Sequence, residues 1–62
     1  MLIYYRGHVI VLLTGALITA EITEQTTAAP LPTTAVATLE EGLQTCIARA
    51  KALIDLYLSA TA

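Results

Sequence analysis

The stretch that most limits what this chain can fold into is His8 to Ala20, HVIVLLTGALITA. It is free of Asp, Glu, Lys and Arg, dense in β-branched residues, and bracketed by Arg6 and Glu21. A run of this kind either pairs as strands or crosses a bilayer as a helix. The residues at its C-terminal end separate the two. From Ala16 to Thr23, Ile18, Ala20 and Ile22 fall on one face, while Leu17, Thr19, Glu21 and Thr23 fall on the other. That period of two is the mark of a strand with one wet face, and an amphipathic helix does not produce it.

The pattern predicts an α+β chain. Met1–Tyr5, His8–Leu13 and Ala16–Thr23 are expected to form a small antiparallel meander over about residues 1–23. Arg6-Gly7 and Thr14-Gly15 are the candidate turns, with Gly7 free to take a positive φ. Tyr4 and Tyr5 then face opposite ways. Three strands are near the minimum for a stable sheet, and they need a further layer on their apolar face, which the C-terminal helix is expected to supply.

The alternative is an all-α chain with an N-terminal membrane helix, residues 2–20. A span needs about 20 apolar residues. This one reaches that length only by including Leu2–Tyr5 and leaving Arg6 to snorkel to the interface. A secretory signal is a third reading, with Val9–Ile18 as its apolar core; Ile18 at the −3 position breaks the small-residue rule.

Residues 24–37, EQTTAAPLPTTAVA, are rich in Thr, Ala and Pro and carry no charge after Glu24. Pro30 and Pro32 favour extended backbone before them. An extended linker is expected, or an arm laid on a neighbouring subunit with Leu31 and Val36 as anchors. Residues 38–62 form the clearest element. Thr38 and Glu41 match the capping box T-x-x-E, with Glu40 and Glu41 in the first turn of a helix over about 39–59. Leu39, Leu43, Cys46, Ala50, Leu53 and Tyr57 form its apolar stripe, which Ile47, Ile54 and Leu58 widen. Gly42 falls inside that helix at a cost of about 1 kcal/mol. Ala60–Ala62 is expected to be a fraying tail.

Composition limits the function. Hydrophobic residues make up 56% of the 62 and charged residues 13%, so little polar cover is left for a small surface-rich body. Chains of this size usually lean on a disulfide, a metal or a partner. Cys46 and His8 are each the single residue of their type, which leaves no internal disulfide and too few ligands for a zinc site. The missing burial is expected from other chains or from lipid. Three Lys and Arg in a net charge of −2 do not make the basic stripe that a nucleic acid requires.

No catalytic constellation is present in the sequence. Cys46 lies in the helix stripe, where core packing explains it better than a nucleophile would. His8 sits at a turn, with a hydrogen bond as its expected task. Glu21 and Glu24 lack the cleft that would drive two carboxyl pKa values apart. Ser59 stands near a helix end.

The expectation is therefore a non-enzymatic structural subunit without cofactor, metal or small-molecule substrate. It would be stabilised by copies of itself or by a larger assembly, in the virion or the cytoplasm. A capsid or tail accessory protein of a decoration or cement kind fits this physics. Its expected interface residues are Leu39, Leu43, Ile47, Ala50, Leu53, Ile54, Tyr57 and Leu58 on the helix. Tyr4, Tyr5, Val9, Val11, Leu31 and Val36 are those of the N-terminal segment and arm. The rival is a single-pass membrane protein anchored by residues 2–20, with the helix as the partner-binding element.

Overall fold

The computed structural model describes residues 1–61. Four strands, β1 (Leu2–Tyr5), β2 (His8–Thr14), β3 (Ile18–Glu24) and β4 (Ala35–Ala37), form one antiparallel sheet in chain order. One helix, α1 (Leu43–Thr61), covers one of its faces. The meander expected from the alternation is present, and it gains a strand.

The first hairpin is set by its turn. Tyr5 pairs with His8 across Arg6-Gly7, whose φ angles are +48° and +77°. Two positive φ angles make a type I′ turn, whose twist matches that of the flanking strands. Gly7 adopts this backbone freely. Arg6 does so against the steric preference of a residue with a Cβ.

Register follows from parity. Pairing Ile10 with Ile22 and Leu12 with Ala20 puts His8, Ile10, Leu12, Ile18, Ala20 and Ile22 on one face, where all six are buried. A slip of one residue would turn that whole set to solvent. Residues 2–20, the proposed membrane anchor, are thus strands and turns. Among the described residues no helix is long and apolar enough to cross a membrane.

The segment 24–37 is not a free linker. Its chain turns at 25–28, Pro30 bridges to Thr23, and Leu31 N–H donates to the Ile22 carbonyl at 2.9 Å. Ala35–Ala37 then pairs with Ile18–Ala20 as β4. The expected arm therefore lies along its own sheet, and Leu31 packs against its own core.

The capping box forms, but it caps a different element. Thr38 N–H donates to Glu41 Oε1 at 2.9 Å, and Glu41 N–H donates to Thr38 Oγ1 at 3.1 Å. These bonds close a single turn that ends at Gly42, where φ is +90°. A right-handed helix cannot run through that backbone, so α1 begins at Leu43 and not at 39. Glu40 and Glu41 precede the first helical turn, which holds no acidic residue. At the other end the helix continues through Ser59 and Ala60 to Thr61, where a tail was expected; Ala62 lies outside the described residues.

Small side chains let the helix approach. Ala20, Ala35, Ala37 and Ala50 are all buried where α1 crosses β3 and β4, and Ile10, Ile22, Ile54 and Cys46 fill the centre. Removing such apolar surface from water stabilises a fold by roughly 25 cal/mol per Å².

Candidate interaction surface

The helix roofs the inner face of the sheet and leaves the outer face bare. Outward parity belongs to Leu2 and Tyr4 of β1, Val9, Val11 and Leu13 of β2, Thr19, Glu21 and Thr23 of β3, and Val36 of β4. Cross-strand rows run Tyr4–Val9–Thr23 and Leu2–Val11–Glu21. The outer face is therefore divided, polar on β3 and apolar on β1 and β2. Leu2 is 57% exposed, Tyr4 65% and Leu13 50%. Val9 and Val11, flanked on both sides by strands, are half-buried. A contiguous apolar patch of this sort marks an interaction site more often than a lone exposed leucine does.

The helix stripe is used within the chain. Ile47, Ala50 and Ile54 are buried in the core, and Leu43, Leu53 and Leu58 are partly buried against it. Tyr57 sets its ring edge-on to His8, with centroids 6.2 Å apart. These residues interface with their own sheet. Leu39 lies before the helix and is 55% exposed. Of the N-terminal residues, Tyr4, Val9 and Val11 face outward, while Tyr5 turns inward.

Two polar ties fasten the roof. Near its start, the Arg49 guanidinium forks onto both Glu41 oxygens and donates to the Val36 carbonyl at 2.9 Å. Arg49, then the Thr38 N–H, hold the Glu41 carboxyl down at a pKa of about 2. Nearer its end, Tyr5 O–H and Arg6 Nη1 donate to Asp55 at 2.9 and 2.8 Å. Arg6 first, then Tyr5, keep the Asp55 pKa below its ordinary value. The same carboxylate raises the Tyr5 pKa by accepting its proton in a hydrogen bond. Lys51 stands 5.2 Å from the centre of the Tyr5 ring, a cation over an aromatic face. Sequence reading missed the Asp55 tie, because partners 50 residues apart leave no local signal.

The groups with possible chemistry are placed for packing. Cys46 is fully buried, burial raises its thiol pKa, and its Sγ lies 3.6 Å from the Ile18 carbonyl. A buried thiol held protonated is a poor nucleophile. His8 is 3% exposed, and its Nδ1 lies 2.9 Å from the Arg6 carbonyl. Because a carbonyl only accepts, that bond assigns the proton to Nδ1. Nε2 is sealed without a hydrogen-bond partner among the described residues. A cavity of about 310 Å³ lies beside it, lined by Arg6, Gly7, His8, Glu24, Thr26, Tyr57 and Leu58. Nε2 has no accessible surface with which to meet a guest there. Among the described residues no three His, Cys, Asp or Glu side chains gather as metal ligands.

The fold and surface thus define a small α+β chain with one roofed and one bare sheet face. Comparison with family models, with curated proteins and with solved structures finds no match.

Proposed function

We propose that this chain is a non-enzymatic structural subunit, completed by packing onto copies of itself or a larger shell. The observation that carries the reading is the bare apolar face of β1 and β2, with Leu2, Tyr4, Val9, Val11 and Leu13 side by side. The accessible surface of 3914 Å² is close to the roughly 3,900 Å² expected of a compact monomer of this mass. The chain therefore closes a small core by itself, and what drives association is the character of the surface left outside. A capsid or tail accessory protein of the decoration or cement kind works in this way, in the virion or in a cytoplasmic assembly.

Sedimentation across a concentration series tests the reading. Oligomers are expected at micromolar concentration, and Val11→Lys, which places a charge in the patch, should shift the protein towards monomer. A wild-type chain that stays monomeric and monodisperse at the highest soluble concentration would overturn it.

A further inference from the structure

The two edges of the sheet are unlike. At the β4 edge, Pro30 and Pro32 lack donors, the strand is three residues long, and Arg49 occupies the Val36 carbonyl. Short strands, prolines and charged side chains are the devices by which a sheet edge is made unfit for pairing. The β1 edge, LIYY, is also short at four residues, but it contains no proline and no charged side chain.

Its free backbone groups can be assigned. Tyr5 and His8 flank a two-residue turn, so they form a hydrogen-bonded pair. Alternation makes Ile3–Ile10 the next such pair, and the Leu12 N–H to Met1 carbonyl bond at 2.9 Å confirms the phase. Leu2 and Tyr4 therefore point their N–H and C=O groups away from β2, and among the described residues no strand lies on that side.

We propose that β1 pairs antiparallel with β1 of a second copy, about a twofold axis through Ile3. This rests on the self-assembly reading above and names the contact that begins it. The register is self-complementary on three counts. It matches the outward backbone groups of Leu2 to those of the partner's Tyr4, and Tyr4 to those of the partner's Leu2. It keeps outer side chains beside outer ones, so the two apolar patches become continuous across an eight-stranded sheet, twice the four strands of one chain. It also sets Ile3, half-buried at the end of the roof, against the partner's Ile3 on the inner side. No strand residue in the seam carries a charge. Arg6 beside it is held by Asp55, and Lys51 stands over Tyr5 from the helix.

Amide hydrogen exchange on the full chain, read residue by residue at rising concentration, tests the proposal. Leu2 and Tyr4 amides are expected to exchange freely in the dilute monomer and to become at least tenfold slower as the dimer forms. Ile3 and Tyr5, already paired with β2, should be slow throughout. Tyr4→Pro removes an outward N–H without touching a β1–β2 bond, and should return the sedimenting mass to that of one chain. Ile3→Cys provides a second measurement, since oxidation should link two copies through residue 3 while Cys46 stays buried. If the chain associates but Leu2 and Tyr4 remain unprotected and residue 3 does not crosslink, the seam is overturned while self-assembly stands. If the chain does not associate at all, both readings fail.

Discussion

The strand β2 presents similar aliphatic residues to two different environments. Inward, Ile10 and Leu12 are 0% and 5% exposed beneath the helix; outward, Val11 and Leu13 have no roof and Leu13 is 50% exposed. Composition does not explain the difference, because both faces of this strand are apolar. The neighbours do. Behind the inner face stand Ile22 and Ile54, while the outer face meets Thr and Glu on β3. One strand thus serves a finished core on one side and offers an unfinished one on the other.

Truncation on the roofed side should have the largest effect. Ile10→Ala or Ile54→Ala is expected to cost about 2–5 kcal/mol in urea unfolding. A domain of this length has only roughly 3–9 kcal/mol in total, so either variant removes a large share of it and should lower the unfolding midpoint sharply. A loss below about 1 kcal/mol would mean that the helix does not seal this face.

Gly42→Ala comes next, and it separates two accounts of the roof by sign. Within a continuous helix, alanine would stabilise by about 1 kcal/mol. At φ +90°, where a Cβ meets no neighbour but the backbone is unfavourable, it should destabilise by about 1–2 kcal/mol in thermal or urea unfolding.

On the bare side, Leu13→Lys should change the stability of the dilute monomer by less than about 0.5 kcal/mol. The same substitution should weaken self-association in sedimentation. A large monomer penalty would show that the outer face is not bare in solution.

Acid should sharpen the contrast most gently. Glu41 and Asp55 have folded pKa values below their ordinary ones, so their contribution is full above the unfolded carboxylate pKa, near 4.5 for Glu41. It is lost as pH falls from there through about 2, where folded Glu41 takes its proton. Both ion pairs are about half exposed, so the expected change is a modest drop in unfolding midpoint, reduced further by salt. Glu41→Gln should flatten that part of the pH profile.

Much of this was legible in the chain itself. The alternation of Ile18, Ala20 and Ile22 against Thr19, Glu21 and Thr23 fixed both strand and face, and the apolar stripe from Leu43 onward placed the helix. The fourth strand was not legible. Ala-Val-Ala has little strand preference, and its pairing comes from β3, whose edge would otherwise be unmatched. The capping box misled because its two bonds need only one turn; whether a helix follows was decided at Gly42, by a φ that sequence does not print. The outer residues Tyr4, Val9 and Val11 followed from parity, and the breadth of the helix stripe already suited it to cover the apolar face of the meander.

The tie of Tyr5 and Arg6 to Asp55 has a consequence for the order in which the molecule is made. A nascent chain leaves the ribosome with its first hairpin complete and the residue that latches it still untranslated. Until then Ile10 and Ile22 face water, alongside other newborn copies in the same condition. A premature stop ahead of the helix would release a sticky ribbon with nothing to cover it, so the length of the translated chain decides whether a core exists.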